Sequence, residues 1–119
     1  MNIIIIGCGN IGFRHLESIL NLNAKKNIYI VDQSDVSIDK CKNLLYKHND
    51  HNLSSFFFKS IDDINFNLEI DIAIIASNSN ARASLIKSLF SKVIPTHLIL
   101  EKLLFTKISD FNFFLDFFE

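Results

Sequence analysis

Apolar residues along this chain fall into short unbroken runs, and the segments between the runs carry helical spacing. Ile3-Ile4-Ile5-Ile6 is a continuous β-branched run, the pattern of a strand buried on both faces of a parallel sheet. From Asn10 to Leu22 the spacing changes: Ile11, His15, Ile19 and Leu22 recur on one helical face with Leu16 and Leu20 beside them. Asn27-Ile28-Tyr29-Ile30-Val31 predicts a second strand. Ser34 or Asp35 then caps a helix to about Tyr46, with Val36, Ile38, Cys41, Leu44 and Leu45 as its apolar stripe. Lys47 to Ser54 is polar and reads as a loop, and Phe56-Phe57-Phe58 as a third strand. Ser60 to Ile64 reads as one capped turn, and Ile70 to Ala76 as a fourth strand, apolar enough to be central. After the polar cluster Ser77-Asn78-Ser79-Asn80, a helix is expected from about Ala81 to Lys92. Its buried face would be Ala81, Leu85, Ile86 and Leu89, with Pro95 as its end. His97-Leu98-Ile99-Leu100 predicts a fifth strand, and Ser109 opens a last helix with Phe111, Phe114, Leu115 and Phe118 at its apolar spacing.

Strands alternating with helices in this way imply an α/β fold: a doubly wound parallel sheet of about five strands with helices on both faces. Ligands of such sheets sit beyond the carboxyl ends of the strands. Gly7, Asp32, Ser77, Asn78 and Lys102 all fall at predicted carboxyl ends, so the topology should gather them into one crevice. No internal repeat or low-complexity linker divides the chain.

The first strand runs straight into Gly7-Cys8-Gly9-Asn10-Ile11-Gly12, a Gly-x-Gly-x-x-Gly at a strand-to-helix turn. In that setting Gly7 permits the tight turn, Gly9 lets the backbone approach a pyrophosphate, and Gly12 lets helix and strand pack closely. The diphosphate would rest on the helix N-terminus, where unpaired N–H groups and the helix dipole favour an anion. All three glycines of the chain are spent on this turn. Asp32, twenty positions past Gly12, ends the second predicted strand where a ribose-binding carboxylate belongs. A carboxylate there accepts from both ribose hydroxyls and repels a 2′-phosphate, and no arginine follows in Gln33-Ser34-Asp35, so NAD is favoured over NADP.

Composition narrows the alternatives. With 119 residues the chain is one domain, and 12 basic against 13 acidic residues point to neither nucleic acid nor a membrane surface. Cys8 and Cys41 form no Cys-x-x-Cys pair, and buried thiols in a reducing, cytoplasmic compartment are expected. The four-residue apolar run at the start lacks the basic flank and length of a signal peptide. His48 and His51, three apart, read as surface loop rather than metal ligands.

Gly7-Cys8-Gly9-Asn10-Ile11-Gly12-Phe13-Arg14-His15-Leu16 resembles the opening of the Gfo/Idh/MocA oxidoreductases. Ile74-Ile75-Ala76-Ser77-Asn78-Ser79 is similar to that family's turn after the fourth strand, and Leu100-Glu101-Lys102 to its Glu-Lys-Pro signature after the fifth. The resemblance implies a Rossmann-like NAD(P)-binding domain over residues 1–119, followed in the family by a larger α/β domain that carries the substrate pocket. It implies that Gly7, Cys8, Gly9, Asn10, Ile11 and Gly12 form the pyrophosphate turn and that Asp32 binds the adenosine ribose. Ser77 and Asn78 would line the path to the nicotinamide. Glu101 and Lys102 would sit near the ring, with Lys102 as the catalytic group polarising or protonating a substrate oxygen. Leu103 replaces the family's proline, and Arg82 stands where a histidine is often found.

Three readings follow. The first is the cofactor domain of a dehydrogenase moving hydride between nicotinamide and a sugar or polyol-like substrate. The second is a non-catalytic NAD-binding fragment or subunit completed by a partner. The third is a different use of the same loop, such as an S-adenosylmethionine enzyme. Phe111, Phe113, Phe114, Phe117 and Phe118 make the last helix apolar on more than one face. Such a helix expects cover. The chain is therefore expected to be incomplete as an enzyme, with a second domain or another subunit of an oligomer covering this helix.

Overall fold

Each of the isoleucines in the opening run is shielded from water, because the strand they form lies in the middle of the sheet. The computed structural model describes residues 1–65, 67, 69–100 and 108–118 of the chain. Elements follow in the order β1 (Asn2–Ile6), α1 (Asn10–Leu20), β2 (Lys26–Val31), α2 (Asp35–His48), β3 (Leu53–Phe58), a 3-10 turn (Ile61–Asp63), β4 (Ile72–Ile75), α3 (Ser79–Phe90), β5 (His97–Leu100) and α4 (Ile108–Phe118). The strands form one parallel sheet in the order β3-β2-β1-β4-β5. The order reverses between β1 and β4, which opens a crevice at the carboxyl ends of these two strands.

Alternate residues of each strand face opposite layers. Ile3, Ile5, Ile28, Ile30 and Ile74 pack with Leu16, Ile19 and Leu20 of α1 and Cys41 and Leu45 of α2. On the other side Ile4, Ile6, Tyr29, Val31, Ala73 and Ile75 pack with Ala83, Ile86 and Leu89 of α3. Both faces of the sheet are thus covered by helices. Ile3, Ile4 and Ile5 are 0% exposed, and each such side chain contributes about 1.5–3 kcal/mol relative to standing in water.

Several boundaries differ from the sequence reading. β3 begins at Leu53 rather than Phe56, because Leu53-Ser54-Ser55 pair in parallel register with Lys26-Asn27-Ile28 although their side chains carry no apolar run. α2 continues to His48, closed by Asn49 in the left-handed conformation (φ 48°). α3 starts at Ser79, two residues before Ala81, because Asn78 Oδ1 accepts from the Ala81 N–H at 3.1 Å and caps it. It ends at Phe90, well before Pro95, where the Ser91, Lys92 and Val93 N–H groups close onto Lys87 and Leu89.

The buried stripes are also displaced. Ile11 and Val36 are exposed, and Ala81 faces outward while Arg82 and Ala83 are buried on α3. Periodicity marks an apolar stripe, but the element packed against it decides how deep each position lies. On α4, Phe113 and Leu115 are exposed, and the side chains of Phe111, Phe114, Phe117 and Phe118 lie outside the described residues. Lys87 ties α4 to α3 through Asp110 at 3.3 Å and stands over the Phe113 ring.

Among the described residues, no helix is long and apolar enough to cross a membrane, and no cluster of three His, Cys, Asp or Glu is placed to hold a metal. His48 instead stands 3.9 Å from Asp50.

Candidate functional site

The turn after β1 is built from backbone constraints that only glycine meets. Gly7 has φ +92°, and a Cβ on it would press on the Ala76–Ser77 backbone at 2.9–3.1 Å. Gly12 lies under the turn, where a Cβ would run into the Gly7 carbonyl. Gly9 is the opposite case: a Cβ there would meet nothing within 4 Å. Its backbone is open because the space in front of it is open. Two of the glycines therefore fold the turn, and the third leaves room for something to approach it.

Asp32 locks this turn to the end of β2. Its Oδ2 accepts the Cys8 N–H at 2.6 Å, and its Oδ1 accepts the Ser34 N–H at 2.8 Å. The Gly7 N–H donates to the Val31 carbonyl at 2.8 Å, and the Asp32 N–H to the Phe58 carbonyl at 3.0 Å. The ends of β1, β2 and β3 are thereby held in one row.

A cavity of about 410 Å³ lies beyond these ends. Gly7, Gly9, Asp32, Ser77 and Asn78 all line it. The first turn of α1 opens beside it, and unlike α2 and α3, whose N-termini are capped by Ser34 and Asn78, α1 begins at Asn10 with Gly9 at the N-cap position and no side-chain cap among the described residues. Its first N–H groups and dipole favour an anion there. The Ser77 hydroxyl is buried with no hydrogen-bond partner among the described residues, so it retains both a donor and an acceptor. Asn78 has committed its oxygen to capping α3, which leaves its amide N–H groups.

Other residues singled out from sequence behave differently. Cys8 turns its side chain away from the cavity into the core beside Cys41 and takes part through its N–H alone. Its hydrogen bond with Cys41, its burial and the nearby Asp32 charge hold its thiol well above the ordinary range, so it stays protonated. Asn10 and Ile11 are exposed on the first turn of α1, and neither side chain contributes to the cavity lining. Glu101, Lys102 and Leu103 lie outside the described residues. Arg82 is 2% exposed and donates from Nη2 to the Ser77 carbonyl at 3.0 Å, which fixes the backbone at the turn after β4.

Several residues without a sequence motif also line the cavity. Lys59 and Ser60 follow β3 directly, so the rule that ligands sit beyond strand carboxyl ends already pointed to them. Leu85 and Ser88 line the same cavity from α3, and only the packing of that helix reveals them.

A glycine turn at the β1–β4 switch, an uncapped helix N-terminus and a carboxylate at the end of β2 define a dinucleotide-binding α/β domain. The family model described as "Oxidoreductase family, NAD-binding Rossmann fold" matches residues 1–118, and the chain belongs to this family, the Gfo/Idh/MocA oxidoreductases. Residues 1–118 are its NAD-binding Rossmann domain. Among solved structures, scyllo-inositol dehydrogenase from Lactobacillus casei, with bound NAD(H) and scyllo-inositol, is similar at 22% identity and a TM-score of 0.70. The match covers 95% of this chain and 31% of that one. TarJ from S. aureus in complex with NADPH is similar at 16% identity and a TM-score of 0.61, over 98% of this chain and 41% of that one. The chain thus spans less than half the length of either structure. A search of curated proteins finds no match.

Proposed function

We propose that this domain holds NAD as the cofactor-binding part of a dehydrogenase acting on a sugar or polyol-like hydroxyl or carbonyl. The observation that carries the reading is the convergence of Gly7, Gly9, Asp32, Ser77 and Asn78 on one cavity at the switch point. The residues present fit the group. Gly9 leaves its backbone open to a pyrophosphate, and the first turn of α1 offers N–H groups and the positive end of its dipole. Asp32 has its carboxylate oriented by two backbone N–H groups and retains acceptor capacity for ribose hydroxyls. Ser77 and Asn78 carry the line of polar groups towards the nicotinamide end.

When bound, the cofactor supplies hydride transfer, and the protein's task is binding and orientation. A fixed carboxylate at the ribose favours NAD, because a 2′-phosphate would meet its negative charge. Lys102 is proposed as the proton-handling group at the substrate oxygen and Glu101 as its neighbour at the ring, from the family resemblance of Leu100-Glu101-Lys102. A lysine suits that role because its pKa falls readily when water is excluded.

The polyol substrate is proposed by similarity to the inositol dehydrogenase, of which the matched part is only 31%. Substrate recognition by a further domain or partner chain is proposed from the family resemblance, with the exposed Phe113 and Leu115 of α4 as the surface it would cover. A second reading is a binding module that holds NAD without turnover of its own, favoured by the exposed Phe113 and Leu115 of α4, a surface a partner chain would cover. Two buried free thiols suit a reducing, cytoplasmic setting.

The test is calorimetric titration of the purified chain with NAD and then NADP, beside Asp32→Ala. NAD binding that weakens at least tenfold in the variant is expected. Absence of binding to either nucleotide by a folded chain overturns the reading.

A further inference from the structure

Beside Asp32 the cavity lining includes a cation that the proposed cofactor contacts leave unused. Lys59 follows the last residue of β3 and lines the cavity together with Asp32 and Gln33. Its position relative to Asp32 is fixed by the sheet. Val31 pairs with Phe58 in register, and the Asp32 N–H donates to the Phe58 carbonyl, so the residues leaving β2 and β3 stand side by side. The Lys59 ammonium is paired with Asp35. It lies 2.8 Å from Asp35 Oδ1, the first residue of α2, and this ion pair raises the lysine above its ordinary pKa.

Asp32, Asp35 and Lys59 together therefore present a net negative edge, with the one cation already engaged. Asp62, which also lines the cavity, stands 3.7 Å from Lys92. We propose that the Lys59–Asp35 pair is a specificity device for the adenosine ribose: while Asp35 holds Lys59, the edge rejects a 2′-phosphate, and a released Lys59 would bind one. The inference rests on the cofactor reading above and names a determinant in addition to Asp32.

The chemistry is that of a doubly charged ligand meeting a mobile point charge. A phosphate monoester carries about −1.5 to −2 at neutral pH. A lysine on its four-carbon stem reaches such a group without a fixed fork geometry. Both partners are largely exposed, with side chains 61% and 73% accessible, so removing Asp35 leaves Lys59 free to swing. Across a few ångströms of water-exposed surface, one unit charge is worth a few-fold in affinity, and salt screens it.

The experiment is a double-mutant cycle read as selectivity, the ratio of the NAD and NADP dissociation constants. Wild type, Asp35→Asn, Lys59→Met and the double variant are titrated with both nucleotides at low and at high salt. Thermal melts confirm that each is folded. Asp35→Asn is expected to shift the ratio towards NADP by about fivefold at low salt. Lys59→Met is expected to erase that shift when combined with Asp35→Asn, and to alter the ratio less in the wild-type background. A shift that survives in the double variant overturns the role of Lys59. An unchanged ratio in Asp35→Asn, in a chain that still binds NAD, overturns the pair while leaving the cofactor reading intact. Failure of the folded wild type to bind either nucleotide removes both.

Discussion

The Cys8 N–H donates to Asp32 Oδ2 at 2.6 Å, joining the glycine turn after β1 to the carboxyl end of β2. One carboxylate thus shapes the turn from beneath while keeping acceptor capacity for a ligand. The two roles separate experimentally. Asp32→Ala should cost about 2 kcal/mol of stability through the two backbone donors it leaves, besides weakening NAD. Asp32→Ser, which restores a short acceptor, should recover part of the stability and little of the NAD affinity. Denaturant melts and calorimetry on the same samples check this, and equal recovery of both would contradict it.

The glycines of the turn should divide by mechanism. Gly12→Ala drives a methyl into the Gly7 carbonyl and should destabilise by about 1–3 kcal/mol, as overpacking does. Gly9→Ala meets open space, so its melting temperature should stay near wild type while NAD affinity falls at least tenfold. A stable Gly12→Ala protein would show that the turn relaxes in a way the packing does not suggest.

Lys26 is 0% exposed, yet its ammonium is fully engaged: it donates to the Leu22 carbonyl at 2.7 Å and stands 3.5 Å from Asp50 Oδ2. It ties the end of α1 to the loop before β3, at the opposite end of the strands from the cavity. Lys26→Met keeps the stem and removes the donors, and should cost about 1–3 kcal/mol. NAD affinity at 25 °C should be unchanged. A denaturant midpoint equal to wild type would mean that water replaces these contacts.

Asp50 sets an acid limb. The Asn52 N–H, followed by Lys26 and His48, holds its carboxyl below the ordinary value. A folded pKa below the unfolded one gives stability that is present above the unfolded value and lost as pH falls through the folded one. Stability should therefore decline below the usual carboxylate range, and Asp50→Asn should flatten that decline. Thermal melts between pH 7 and pH 3 measure it, and parallel curves for the two proteins would assign the limb elsewhere.

The fold class was legible in the residues alone, and so was the gathering of Gly7, Asp32, Ser77 and Asn78 at one cavity. Ile3 to Ile6 run into a glycine turn, and Asp32 lies twenty residues past Gly12. Such signals are local, and a parallel sheet converts local order into a row of strand ends. Depth, and neighbours brought in from other strands, were not legible in the sequence, because they arise only when the elements pack. Ile11 and Val36 carry the apolar period but face water, while Arg82 and Lys26 are charged and buried. The polar start of β3 was set by pairing with β2, which no side-chain pattern records. Cys8 turned to the core because the turn points its Cβ at Cys41's layer, leaving only its N–H for the site. The pairing of Lys59 with Asp35 was invisible for the same reason. The residues stand twenty-four positions apart, and it is the register of β3 on β2 that brings them within 2.8 Å.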